Sequence, residues 1–178
     1  MTLAQEQQLR VDLAASFQIA AHYNWHEGIA NHFSAAVSDD GLHFLLNPKW
    51  KHFARIRAAD LLLLDSRDDA ALEKDNAPDP TAWHLHGAVH ARVPQVRCLM
   101  HLHLPYATVL SCLDDCSIQP IDQTTSRFFN RVAIDKLYGG MVDNASEGAR
   151  VAEMLSRHDV IVLGNHGVLV AGRSVAAA

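Results

Sequence analysis

Cys98-Leu99-Met100-His101-Leu102-His103 is the stretch on which the reading of this chain turns. It is apolar except for its two imidazoles, and Pro94 and Pro105 bracket it. A short apolar run bounded by prolines reads as a strand buried in the middle of a sheet, here from Val96 to His103. Successive strand residues point to opposite faces, so His101 and His103, two apart, share a face. Two imidazoles on one side of a strand make a pincer.

Outward from that strand, helices and strands alternate. Upstream, Asp79-Pro80 is a helix start, an acceptor side chain at the N-cap followed by a ring with no N–H, and the helix is expected to run to about Arg92. Leu61 to Leu64 reads as a short strand and Ser66 to Pro78 as a polar loop. His32 to Val37 and Leu42 to Leu46, joined by Ser38, Asp39, Asp40 and Gly41 and closed by Pro48, read as a hairpin. Leu9, Leu13, Phe17 and Ala20 recur at helical spacing within Thr2 to Tyr23, which marks an amphipathic helix ending near Asn24. Downstream, Pro105 to Cys116 reads as helical and Asp114 to Ile134 as mixed. Ser146 to Arg157 is a second amphipathic helix leading into Val160 to Leu163, where Gly164-Asn165-His166-Gly167 interrupts the strand before Val168 to Val170. Alternating helices and buried strands indicate α/β layers. Ser174 to Ala178 look like the opening turn of a helix, so one domain over residues 1–178, without its natural C-terminal end, is the expectation.

Composition narrows the partners. The chain has 178 residues, 49% of them hydrophobic, which is enough for one compact core. A net charge of −5 with scattered Lys and Arg gives no footprint for nucleic acid or an anionic membrane. No apolar run approaches a membrane span and MTLAQEQQLR is no signal peptide, so a cytoplasmic protein with a small-molecule substrate is expected. Cys98, Cys112 and Cys116 read as reduced, inert thiols.

Twelve histidines are the compositional oddity. Zinc and similar ions take imidazole nitrogen at about 2.0–2.1 Å, and a catalytic site keeps three protein ligands and one open position. His166, between small residues at the end of an apolar strand, is the third ligand candidate beside His101 and His103. The bland alternative is a chance H-x-H pair and a turn histidine. His86 and His90 stand at i and i+4 as in H-E-x-x-H, but Gly87 holds the glutamate's place, so they read as helix residues bonding toward the neighbouring layer.

These residues resemble the class II aldolase and adducin head domain family. The likeness is carried by Gly28-Ile29-Ala30-Asn31-His32-Phe33-Ser34, by Phe44 to Asp65, by Asp79 to His86 with Arg97 to His103, and by Gly164 to Gly172. It implies a three-layer α-β-α sandwich around a central mixed, largely antiparallel sheet, and assembly as a homotetramer. It further implies a divalent metal on His101, His103 and His166, zinc first, with manganese and iron as alternatives. In the family's sugar-phosphate aldolases the ion acts as a Lewis acid on substrate oxygens.

The chain departs from the aldolase pattern at Pro80, Thr81 and Ala82, where aldolases carry Ser-Ser-Glu. Alanine cannot shuttle a proton, a contribution of about 10²–10⁴ in rate. Lys49 and Trp50 stand where aldolases have Thr-Gly, and Ala30-Asn31 replaces Gly-Asn. Asn31, Lys49 and Thr81 are the substrate-contact candidates, and His84 and Tyr106 could carry a proton, though each also reads as a packing residue; no catalytic base is assigned. The expected function is a metal-dependent lyase (aldol cleavage, decarboxylation or dehydration) on a small oxygenated acid or sugar derivative, the resemblance placing it in carbohydrate metabolism. The alternatives are a non-catalytic adducin-like scaffold and an iron-dependent decarboxylating oxygenase, since imidazoles also suit iron.

Overall fold

A computed structural model describes residues 1–137 and 145–178. Helix α1 (Leu3–His22) opens with a capping box in which Thr2 and Gln5 exchange side-chain-to-backbone bonds. Strands β1 (His32–Ala36), β2 (His43–Leu46) and β3 (Leu62–Asp65) follow as an antiparallel meander. Helix α2 (Pro80–Arg92) starts at Asp79, whose carboxylate accepts from the Thr81 and Ala82 amides at 2.9 and 3.2 Å. Then come β4 (Cys98–Leu102), α3 (Pro105–Ser111), the short α4 (Gln123–Ser126), β5 (Val132–Asp135), α5 (Ala145–Leu155), β6 (Val160–Leu163) and β7 (Gly167–Gly172).

The seven strands form one sheet in the order β3-β2-β1-β4-β7-β6-β5. Among the described residues, only β5 and β6 pair in parallel; the other neighbours are antiparallel. The α-β-α sandwich with a mixed, largely antiparallel sheet is therefore observed, with β4 at its centre. Strand parity sorts the two cores. Phe33, Met100 and Leu102 pack on the α1 side with Leu13 and Phe17. Leu99, Ile161 and Leu169 pack on the opposite side with Leu85 and Val89 of α2 and Val151 and Leu155 of α5. His101 follows the parity of Leu99, so its imidazole belongs to the α2/α5 side.

Several local expectations change. The interruption at Gly164-Asn165-His166-Gly167 is a hairpin turn, with Leu163 opposite Gly167 and Asn165 in the left-handed region at φ +56°. Strand β5 begins at the end of the region read as mixed and runs one residue past it, and α3 stops at Ser111; Cys112 is exposed while Cys116 is buried. All three cysteines are free, and burial pushes the Cys98 thiol up to about 12. The polar loop after β3 contains a 3₁₀ turn at Asp69–Glu73, and the final turn at Val175–Ala177 is also 3₁₀. Among the described residues, no helix is long and apolar enough to cross a membrane.

Candidate metal centre

The end of the central strands brings the His101–His103 pair together with His166, 63 residues further along the chain. His101 lies in β4, His103 one residue past it, and His166 in the β6–β7 turn. One ligand nitrogen from each lies within 4.8 Å of the others. The ring centroids are 4.8 Å apart for His101–His103 and His101–His166 and 4.7 Å for His103–His166. Gly167 makes the convergence sterically feasible. A Cβ there would come within 2.5 Å of the Leu102 carbonyl oxygen and 2.9 Å of the His103 ring, so any side chain would push the turn away from β4.

Hydrogen bonds fix which nitrogens are spare. His101 Nδ1 donates to the Val168 carbonyl at 3.1 Å, and His103 Nδ1 donates to Glu27 Oε2 at 2.7 Å. Both Nε2 atoms are then lone-pair donors, and they face each other at 3.0 Å. Two bare lone pairs at that distance repel unless something positive lies between them. Nitrogens about 3.3 Å apart are what a tetrahedral ion at 2.0–2.1 Å requires, so the donor set fits a divalent transition metal. Burial, reinforced by neighbouring imidazoles, holds His101 well below its ordinary pKa and His166 down at about 4. Both are neutral at pH 7, the form that ligates.

The imidazoles open onto a cavity of about 190 Å³, whose wall also includes His32, Thr81 and Glu147. A space of this size takes a small metabolite. The substrate-contact candidates fare differently. Thr81 lines the cavity, with its hydroxyl proton committed to Asp79 at 2.5 Å. Asn31 is buried, and its side-chain oxygen accepts from the Glu27 amide at 2.8 Å, capping its own loop. That bond sets the loop from which Glu27 reaches His103. Lys49 lines a separate cleft with Lys51, Asp60 and Lys74. Tyr106 is 92% exposed, and His84 sits edge-on to Trp83; neither lines the cavity. Ala82 presents a buried methyl where aldolases have a carboxylate.

Two acidic residues went unread in the sequence. Glu27 orients His103 from 76 residues away, a separation with no local pattern to reveal it. Glu147, in the first turn of α5, lines the cavity and is held by Arg150 Nε at 2.8 Å. Arg150 in turn ties α5 to buried Asp135 on β5 at 2.6 Å.

The fold and the site together define an α-β-α domain with a histidine cluster at the end of its central strands. The chain belongs to the Class II Aldolase and Adducin N-terminal domain family, whose profile matches residues 11–178. An adducin-related protein of Schizosaccharomyces pombe is 30% identical over 177 residues, covering 95% of this chain and 53% of that protein. A 4-hydroxy-3-prenylphenylpyruvate oxygenase/4-hydroxy-3-prenylbenzoate synthase of Streptomyces roseochromogenus is 27% identical over 152 residues, 85% of this chain and 54% of that protein. The chain thus spans about half the length of both relatives. The crystal structure of an aldolase II superfamily protein from Pseudomonas syringae superposes with a TM-score of 0.88 at 32% identity, covering 99% of this chain and 71% of that one.

Proposed function

We propose that this domain is the catalytic part of a metal-dependent lyase acting on a small oxygenated acid or sugar derivative, with His101, His103 and His166 holding one divalent ion, zinc by preference. The observation that carries the reading is the pair of Nε2 atoms facing at 3.0 Å, each with its other nitrogen committed to an acceptor. The Val168 carbonyl and the Glu27 carboxylate each place a proton on Nδ1 and turn Nε2 toward the cavity, the orientation that a ligand needs. When bound, such an ion supplies Lewis acidity toward a substrate oxygen.

The chain's own residues supply the rest. Glu27 holds the His103 ring in its ligating tautomer. Thr81 offers a hydroxyl oxygen to the bound molecule, its proton being spent on Asp79. With Ala82 in the place of the aldolase base, we assign proton transfer to Glu147, the acidic side chain in the described cavity wall. Arg150 holds that carboxylate at the cavity wall through its Nε, 2.8 Å away. Self-association, with a tetramer expected, a cytoplasmic location and a place in carbohydrate metabolism belong to the same proposal.

A second reading is an adducin-like scaffold without turnover, favoured by the alanine at position 82 and by the adducin-related relative. One experiment separates them. The chain is loaded with zinc, manganese or iron and offered small keto and hydroxy acids, while carbon–carbon cleavage, CO₂ release and oxygen uptake are followed. Turnover that disappears in His101→Ala, with an unchanged circular dichroism spectrum, supports the lyase. Oxygen uptake with the iron form alone would move the assignment to an oxygenase, in line with the Streptomyces relative. Metal retention without any turnover favours the scaffold.

A further inference from the structure

A line of buried polar groups runs from the core to the cavity, starting at a backbone carbonyl. His90 Nδ1 donates to the Val96 carbonyl at 2.9 Å. His90 is fully buried, and burial lowers its pKa to about 4, so it is neutral and its Nε2 can only accept. The one group available is the Ser34 hydroxyl at 2.7 Å, which spends its proton there. Ser34 Oγ must then accept from His86 Nδ1, 2.5 Å away. His86 is buried and neutral too, so its Nε2 accepts, and the partner is His32 Nδ1 at 2.7 Å. Every member has one arrangement, dictated by the carbonyl at the far end.

The last member is the one that matters outside the core. With Nδ1 carrying the proton, His32 keeps a lone pair on Nε2. His32 lines the cavity, its ring centroid 4.8 Å from that of His101 across the β1–β4 pairing. No protein group bonds its Nε2 among the described residues, and that atom is not among the sealed polar atoms. Nor does His32 belong to the converging trio of ligand nitrogens. It is a fixed acceptor beside the metal centre.

We infer that His32 is a specificity-determining residue whose Nε2 accepts a hydrogen bond from a hydroxyl of the bound molecule, so that the site favours hydroxy acids over analogues that lack the O–H donor. This rests on the metal reading for how the molecule is held, though not for the state of His32 itself. A site built to pair a hydroxyl rejects the analogue without it, because the acceptor is then left unpaired. His86, Ser34 and His90 are positioning residues in this scheme, acting through His32.

The test uses the full chain labelled with ¹⁵N-histidine, studied by long-range ¹H–¹⁵N correlation at neutral pH with and without zinc, then titrated with glycolate and with methoxyacetate. We expect His32, His86 and His90 each to show a protonated Nδ1 and a bare Nε2 in both forms. Glycolate should shift the His32 Nε2 signal and methoxyacetate should leave it in place. His32→Phe should weaken glycolate binding about tenfold, the value of one hydrogen bond, with zinc stoichiometry and methoxyacetate binding unchanged. Should His32→Phe fail to fold, Ser34→Ala serves: losing the hydroxyl should release His32 into a mixture of tautomers. A protonated Nε2 on His32, or a glycolate preference that survives His32→Phe, overturns the inference. A chain that takes up no zinc overturns the metal reading instead, and the His32 tautomer in zinc-free protein then decides the inference by itself.

Discussion

Two groups of histidines lie on the same side of the sheet, and they are put together in opposite ways. In the group His86–Ser34–His90, every nitrogen is spent on a neighbour and the rings are fully buried. In the group His101–His103–His166, the Nδ1 hydrogen bonds of His101 and His103 leave their Nε2 atoms spare and facing each other at the cavity, with the His166 ring beside them. The first group is saturated and holds β1 to α2. The second is left short of a positive charge. What separates a structural histidine from a candidate ligand here is thus the fate of its second nitrogen, and burial alone does not tell them apart.

The widest gap between the groups should appear on truncation. His86→Ala removes a ring that is 0% exposed and orphans both Ser34 and His32, costing about 3 kcal/mol from cavity and unpaired polar groups. For a chain of this length that lowers the melting temperature by roughly 6–12 °C in a calorimeter. His103→Ala in metal-free protein should lower it by no more than about 2 °C, since the ring leaves a cavity that is already open. Equal losses would erase the distinction.

Acid should act on the saturated group next. His90 is held at about 4 in the fold against an ordinary 6.5, so the unfolded chain binds the extra proton between those values. Its contribution to stability is complete above pH 6.5 and is lost as the pH falls toward 4. At pH 5 the loss is about 2 kcal/mol from this residue alone. His86, shifted in the same direction by burial, adds to it. Urea titrations at pH 7 and pH 5 should show the midpoint falling, and a His90→Phe variant that still folds should show a smaller fall.

Glu27→Ala sharpens the comparison from the other side. Removing a carboxylate that orients a ligating imidazole costs about 10–100-fold in metal affinity. Because the Glu27 side chain is 72% exposed, thermal stability without metal should be unchanged. Isothermal titration with zinc reads the first effect and a thermal melt the second. The smallest effect is expected from Lys49→Ala. Lys49 lies in another cleft, so zinc affinity and glycolate binding should match the unaltered chain.

Much of this was legible in the residues. The H-x-H strand, the Asp79-Pro80 helix start and the hairpin from His32 to Leu46 have local signatures, and the structure has each. The bonding of His86 and His90 toward the neighbouring layer followed from helical spacing and the missing glutamate at Gly87. Glu27 and Glu147 were not legible, since a loop residue and a helix-start residue meet the site only through tertiary packing. Strand β5 escaped because Val132–Asp135 is too short to carry a period and sits at the sheet edge beside one partner. Lys49 is a substrate-contact candidate only through the resemblance, and the turn after β2 sets it in a separate cleft.

The central claim is that three imidazoles share one ion, and metal stoichiometry tests it most directly. The full chain, stripped with chelator and re-equilibrated with zinc, should retain one zinc per chain after gel filtration by elemental analysis. His101→Ala, folded by circular dichroism, should retain none, since a ligand of the set is gone. A folded chain that retains no metal, or a His101→Ala variant that keeps the full complement, would contradict it.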